Sequence, residues 1–411
     1  MASFVPYRDK NGNIVSYQIQ VYRGRDAEGK KLKPYVMSWE VPEGWKQSSI
    51  DRELKRVAAE FEAECKQGLV STNKQTFAQY SEYVMQLKER DNKHRTVFRY
   101  RELLERINAE IGPIRMSDIT AENLNSLYLK LGQPGAKKRI KKGAKKGTVE
   151  TTDKGLSPRT ILHHHRLIRH IFAQAVKEGI VRYNVADAAT PPKVPKKEAE
   201  FFELEEVLAI RDALKNQPLK WQAITNLFID TGARRGEILG LKWNCIDFKN
   251  NQIKIENNLQ YTKDRGIFED TTKTDESRTI NVAPEIMNIL QAHKKEQLQH
   301  KLKVGSYWTD TNYCFTQDNG NPMNPDSINK WLREFSKKYN LPSIHPHKFR
   351  HTQASLLYAA GENPVTISKR LGHKQVSTTQ NIYAHLLENG DKQASDKIAN
   401  LLYRNNEQSR K

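Results

Sequence analysis

The sequence predicts a multidomain chain: a small three-stranded sheet with one helix (α+β), then an all-α domain, then a mixed, mainly α domain that carries a small antiparallel sheet. Three observations predict it. Alternating apolar and polar residues broken by strong turns fill the stretch up to Val41. Helical periodicity follows between Phe77 and Glu178, and beyond a Pro- and Lys-rich segment, 191–197, helical and alternating patterns mix. The boundaries this sets are 1–70, 75–190 and 198–411, and 411 residues are enough for two or three separate cores.

In the first region Asp9-Lys10-Asn11-Gly12-Asn13 is a strong turn, and Tyr17, Ile19 and Val21 alternate with Gln18, Gln20 and Tyr22. A second turn spans Gly24 to Lys31, and Tyr35 to Trp39 makes the third strand. So small a sheet does not stand alone in water, which assigns the amphipathic stretch Ile50 to Cys65 to one of its faces. Gly68 to Gln75 is small and polar, as a linker is.

The second region reads as four helices, Phe77 to Leu87, Thr96 to Ile107, Thr120 to Leu131 and Ser157 to Glu178. Ser157-Pro158 starts the last with an N-cap and a proline at the first helical position. The triplet His163-His164-His165 invites a metal reading, but neighbouring helical residues point about 100° apart and do not converge on one ion. One imidazole is expected inside and two outside. The run 137–146, rich in Lys and Gly, is read as a mobile loop whose charge adds salt-dependent affinity for a polyanion or simply solubilises.

Composition narrows the partner. A formal net charge of +20 favours nucleic acid over a membrane. No stretch has signal-peptide character or the length to cross a bilayer, so a soluble, intracellular protein is expected. Cys65, Cys245 and Cys314 lie far apart without a CxxC pair, which signals buried thiols rather than zinc or disulfides. No Gly-x-x-x-x-Gly-Lys-Ser/Thr phosphate loop is present.

The chemistry concentrates in the third region. His347-Lys348-Phe349-Arg350-His351, Leu371-Gly372-His373 and Tyr383 supply guanidinium, imidazole and phenol, groups that grip phosphate oxygens, move protons and attack phosphorus. His347 and Arg350, three apart at the start of a helix that runs to Ala359, share a face near its positive end. Gly361 closes that helix, and Asn363-Pro364 opens the next. Gly372 ends the second helix and redirects His373, and Ser377-Thr378-Thr379-Gln380 caps a short helix bearing Tyr383. Upstream, Thr231-Gly232-Ala233-Arg234-Arg235-Gly236-Glu237 follows the apolar run Ala223 to Ile229. Alternation over Ile253 to Thr262 and again over Arg278 to Val282 reads as two strands flanking a polar hairpin with Lys273. Singly, each of these residues is more often a core, cap or surface group; the ordered set is what carries weight.

In that order, Gly-x-Arg-x-x-Glu, a hairpin Lys, His-x-x-Arg-His, Leu-Gly-His and a late Tyr, the region Phe202 to His385 resembles the tyrosine recombinase, or phage-type integrase, family, closest to the integrases of conjugative transposons. The resemblance implies that Arg234 and Arg350 clamp the phosphate, His347 handles a proton, His373 holds the second imidazole position and Tyr383 is the nucleophile. Lys273 would protonate the departing oxygen; it is preferred to Lys263 because Thr-x-x-Ser-x-Arg follows it. Arg235 and Glu237 would support the clamp, and His351 would stand behind it.

Further implications follow from the same resemblance. The first domain would bind arm-type DNA sites through its sheet, with Arg8, Lys10, Arg23, Arg25 and the exposed glutamines and tyrosines of the middle strand as contacts; a dimerisation or stabilising module is the alternative. The helical domain would clamp core sites, with Lys93, Arg95, Arg159, Arg166 and Arg169 toward phosphates. The basic linker would let two domains close around a duplex. A last helix marked by Ala394, Ile398, Leu401 and Leu402 would dock on its own subunit or a neighbour. The implied assembly is a homotetramer on double-stranded DNA, with an excisionase and a host DNA-bending protein as accessory partners.

An unperturbed phenol has a pKa near ~10, so attack on a phosphodiester needs positive charge at the oxygens and help with protons. Two arginines give that charge without titrating, so no cofactor or metal is required in principle. The product would be a 3′-phosphotyrosyl ester and a free 5′-hydroxyl, which a hydroxyl from another strand reverses without ATP. Three other readings share parts of the pattern. A type IB topoisomerase-like nicking-closing enzyme lacks a reason for the N-terminal sheet and tail helix, a catalytically idle DNA-binding regulator lacks a reason to keep every reactive group, and a housekeeping recombinase that resolves chromosome dimers lacks an arm-binding module.

Overall fold

The computed structural model describes residues 2–10, 12–25, 28–66, 74–136, 138–140, 149–151, 153–195, 200–271, 277–373 and 375. The chain divides into two compact units, Met1–Pro195 and Lys196–Lys411.

The first unit begins with strands β1 (Ser3–Arg8), β2 (Ile14–Val21) and β3 (Tyr35–Glu40), antiparallel in that order, with Ile19 opposite both Phe4 and Met37. The turn between β1 and β2 forms as its residues dictate: the Asn13 amide donates to the Asp9 carboxylate at 2.9 Å, and Gly12 takes a left-handed φ of 85°. Helix α1 (Gln47–Lys66) buries Ile50, Leu54, Ala58, Phe61 and Cys65, a stripe at helical spacing, with Tyr17, Ile19 and Val21 of β2. The even-numbered residues Gln18 and Gln20 lie on the other face.

A separate buried cluster follows in the same unit, built by helices α2 (Phe77–Asp91), α3 (His94–Ile111), α4 (Ala121–Gly132) and α5 (Pro158–Lys177). Thr76 and Thr120 close capping boxes with Gln79 and Asn123, and Ser157 caps α5 ahead of Pro158. The histidine triplet departs from expectation. Two of its imidazoles face inward: His164 Nδ1 meets the Thr160 carbonyl at 2.8 Å and His165 Nδ1 meets the Tyr128 hydroxyl at 2.9 Å, while His163 is exposed. The apolar stripe of α5 is wide enough to take in both positions, and each ring finds a partner there. Part of the Lys-rich run is also more regular than a loop, since β4 (Lys138–Ile140) pairs antiparallel with β5 (Val149–Thr151); residues 141–148 lie outside the described ones.

Among its described residues, the second unit packs α6 (Leu204–Leu214), α7 (Leu219–Thr231) and the short α8 (Arg235–Leu239) with two small sheets and four later helices. Strands β6 (Ile246–Asp247), β7 (Gln252–Ile255) and β10 (Arg278–Asn281) form one antiparallel sheet in the order β10-β7-β6, and β8 (Asn257–Thr262) pairs with β9 (Gly266–Thr271) in the other. The alternation over Ile253 to Thr262 is therefore two strands, because the chain changes sheet at Glu256, and β9 is an added strand that the sequence pattern did not single out. Lys273 lies outside the described residues. Helices α9 (Pro284–Val304), α10 (Pro325–Lys338), α11 (Pro346–Ala359) and α12 (Pro364–Leu371) follow among the described residues. Phe349 of α11 is 1% exposed and packs against Phe202 and Phe228, at ring-centroid distances of 5.3 and 6.3 Å, so the motif helix is anchored in the main core. All three cysteines are buried and unpaired with one another, as expected. Among the described residues no helix is long and apolar enough to cross a membrane.

Candidate active site

Two left-handed glycines set the frame of the site. Gly232 (φ 59°) ends α7 and Gly372 (φ 68°) ends α12, and each turns the chain from a helix into a loop that carries a candidate residue, Arg234 or His373. A methyl group on Gly232 would sit 2.6 Å from Leu371 Cδ2, and one on Gly372 would sit 2.8 Å from Arg278 Nη1. The Gly232 turn can approach the end of α12, and Arg278 can lie against Gly372, only because both positions lack a side chain.

The arginines tie these loops together. Arg350, 5% exposed, donates from Nη1 to the carbonyls of Gly232 and Leu371 at 3.0 and 2.8 Å. Arg234 donates from Nη2 to the carbonyl of Gly372 at 2.9 Å and from Nη1 to Glu237 Oε1 at 2.7 Å. Both guanidiniums thus grip adjacent peptide oxygens directly before His373. Arg234 is also the N-cap residue of α8, where Glu237 folds back to accept its backbone N–H at 2.9 Å.

Glu237 is the anionic centre beneath the cations. Its carboxylate, 1% exposed, accepts from Arg234 and from Arg278 Nη2, the latter at 2.6 Å. Burial alone would raise its pKa, but the Arg278 hydrogen bond and the charges of Arg278 and Arg234 outweigh it and bring it down to about 2. It is ionised at neutral pH, and its negative charge offsets part of the repulsion among the arginines.

The imidazoles sit in positive surroundings. Pro346 stands at the first position of α11, one residue earlier than expected, because His345 is the cap: its Nδ1 accepts the Lys348 N–H at 3.1 Å. His347 follows on the first turn. Burial and the Arg350 charge, helped by His345, Arg234 and Arg235, lower its pKa. Burial and the charges of Arg350 and Arg234 bring His373 down to about 4, and burial with His347 and Arg350 does the same for His351. At neutral pH all three rings are uncharged, able to accept a proton or to donate their one N–H.

The structure therefore brings together Arg234, His347, Arg350 and His373. Lys273 and Tyr383, with the short capped helix and the tail helix assigned to 377–402, lie outside the described residues. Arg235 is ion-paired with Asp326 at 2.8 Å. Two further arginines belong to the framework. Arg278 joins Glu237 to the Arg370 carbonyl, and Arg370 donates to the carbonyls of Asn281 and Asp230 at 3.1 and 2.9 Å. Their signals were in the sequence, at the end of Thr-x-x-Ser-x-Arg and directly before Leu371-Gly372-His373, but nothing local tells a structural arginine from a solvated one.

The candidate contacts of the first unit are dispersed over its surfaces. Arg8, Lys10, Arg23 and Arg25 lie around the small sheet; Arg8 and Arg25 each hold a turn carbonyl, of Gly12 and Gly29, and Arg23 covers the Tyr35 ring at 4.7 Å. Arg95, Arg159, Arg166 and Arg169 are exposed on α3 and α5, with Arg169 paired to Asp187 at 2.6 Å, and Lys93 is the N-cap residue of α3.

Both units are similar to known proteins. Residues 200–389 match the Phage integrase family and residues 76–190 match the Phage integrase SAM-like domain. A tyrosine recombinase XerC-like protein of Caldanaerobacter subterraneus subsp. tengcongensis is 31% identical over 57% of this chain and 64% of its own length. The integrase of Staphylococcus phage L54a is 31% identical over 56% of this chain and 72% of its own. The transposase from transposon Tn916 of Enterococcus faecalis is 25% identical over 92% of this chain and 93% of its own. Among solved structures, the Tn1549 transposon integrase in complex with transposon right-end DNA shares the fold with a TM-score of 0.64, at 22% identity over 79% of this chain and 99% of that one. A lambda integrase tetramer bound to a Holliday junction has a TM-score of 0.51, at 16% identity over 90% and 95%. With two family matches falling on its successive regions and a phage integrase aligned across most of that relative's length, the chain belongs to the phage integrase family, the tyrosine-type recombinases, and is similar to the integrases of conjugative transposons.

Proposed function

We propose that this protein is the site-specific recombinase of a mobile genetic element, and that it integrates and excises the element through a 3′-phosphotyrosyl intermediate. The observation that carries the reading is the convergence of Arg234 and Arg350 on the carbonyls that directly precede His373, with His347 uncharged one helical turn from Arg350. The phenol of Tyr383 attacks phosphorus and the bond to the 5′-oxygen breaks. His347 takes the phenolic proton, and Lys273 gives one to the leaving oxygen. Arg234, Arg350 and His373 stabilise the charge that grows on the nonbridging oxygens, a role that fixed donors in a shielded site perform well. The energy of the ester is retained, so a 5′-hydroxyl from a second duplex reverses the step and exchanges partners.

The domain roles follow the same line. Residues 1–70 bind arm sites through the open face of the sheet, 75–190 clamp the core site with Arg159, Arg166 and their neighbours, and 198–411 cut and rejoin it. The working assembly is a homotetramer on two duplexes in the bacterial nucleoid, with an excisionase and a host bending protein setting direction. The lambda integrase tetramer on a Holliday junction supports the assembly by likeness of fold.

The test uses the full chain with a nicked duplex that carries its attachment site, in EDTA. A covalent protein–DNA adduct is expected, and Tyr383→Phe should abolish it. Strands from two duplexes should then be joined. Relaxation of supercoils without joining would favour a topoisomerase-like enzyme, and binding with no adduct would favour a regulator.

A further inference from the structure

We propose that Arg278, outside the set of residues that meets DNA, is a positioning residue that locks the setting of His373 to the grip of Arg234. The hydrogen bonds close a ring. Arg278 Nη2 donates to Glu237 at 2.6 Å, Glu237 accepts Arg234 Nη1 at 2.7 Å, and Arg234 Nη2 donates to the Gly372 carbonyl at 2.9 Å. Two residues back, in the last turn of α12, the Arg370 carbonyl accepts Arg278 Nε at 3.1 Å and so completes the circuit. His373 is the next residue after this clamped segment, and its own N–H is held by the Ser368 carbonyl at 3.0 Å.

Two further observations separate this from an ordinary buried ion pair. The Arg278 guanidinium rests against Gly372 so closely that a Cβ there would lie 3.0 Å from Cζ and 3.2 Å from Nε, so the plane of the guanidinium forms one wall of the loop. The ion pair with Glu237 uses one nitrogen only; the other bond goes to the Arg370 carbonyl at the end of α12 and adds nothing to charge balance. A planar fork can serve two directions at once, which an ammonium cannot do with the same geometry. Arg278 also stands at the start of β10, where pairing of its residue with Ile255 fixes the strand from which it reaches.

This inference rests on the reading of His373 as a member of the active site, and the experiment separates the two. Adduct formation is measured under single turnover on the nicked attachment-site duplex for the full-length wild type, Arg278→Lys, His373→Ala and the double variant, together with DNA affinity and thermal midpoint. Arg278→Lys should slow adduct formation by about 10²-fold, the scale of a small misplacement of a reacting group, with DNA affinity kept. In the His373→Ala background the same change should cost less than about 3-fold, because coupled positions fail to add. If Arg278→Lys does not fold, Arg278→Gln, a shorter donor, takes its place in the same cycle. Multiplying losses in the double variant, a wild-type rate in Arg278→Lys, or a rate loss that only follows a fall in thermal midpoint would each overturn the proposal. A His373→Ala enzyme as fast as wild type would instead remove His373 from the active site, and this inference with it.

Discussion

Glu237 shows what a single side chain does here. Its buried carboxylate holds two guanidiniums that would otherwise repel, so Glu237→Ala leaves two half-buried cations uncompensated and should destabilise the second unit by about 3 kcal/mol; urea denaturation measures it. The imidazoles predict a pH dependence of the opposite kind from a bridging histidine. His351 and His373 have pKa values of about 4 in the fold against an ordinary 6.5, so the unfolded chain binds their protons first. Stability should therefore be complete above about 6.5 and fall as pH drops toward 4. Glu237 adds no slope in that upper range, since its contribution is lost only below 4.5, toward about 2. Thermal midpoints at pH 7 and pH 5 should differ, and His351→Gln should narrow the gap. At this scale the sequence singled out Arg234, His347, Arg350 and His373 by order and spacing, and the fold brings the four together. It could not identify the framework roles of Arg278 and Arg370, because what distinguishes them is which distant carbonyls they reach.

Among the elements, α11 joins core to chemistry within two residues. Phe349 packs in the main core, and Arg350 beside it points into the site, so the position of the guanidinium is inherited from the packing of the ring. Phe349→Ala should cost about 3–5 kcal/mol in urea denaturation and slow adduct formation in the protein that remains folded. Helix boundaries were readable because their signals are local: Asn363-Pro364 opens α12, and Gly372 ends it in a left-handed turn. Sheet membership was not. Nothing in the alternation from Ile253 to Thr262 announces that Ile255 pairs with Arg278 while Asn257 pairs with Thr271, since pairing depends on residues far along the chain. The histidine triplet failed for a related reason: how wide a face α5 buries depends on the neighbours that cover it.

For the whole molecule, the excess of 68 basic over 48 acidic residues predicts binding that weakens steeply with salt. Band shifts with a core-site duplex across a salt series should show a steep slope, and Arg159→Gln with Arg166→Gln should reduce it by about 1 for each phosphate that is no longer neutralised. An unchanged slope would remove that face of α5 from the interface. The order of a sheet-and-helix module, a helical module and a mixed region was legible because each has its own periodicity and the Pro-rich segment interrupts them.

The anchoring of Arg234 and Arg350 to peptide oxygens has a consequence for engineering. A main-chain oxygen is the same whichever amino acid owns it, so the attachment points at Gly232, Leu371 and Gly372 survive any substitution that leaves the backbone path alone. Libraries that diversify the outward residues nearby, in search of new target preference, can therefore proceed with the anchoring of both arginines intact, provided the two glycines are left untouched.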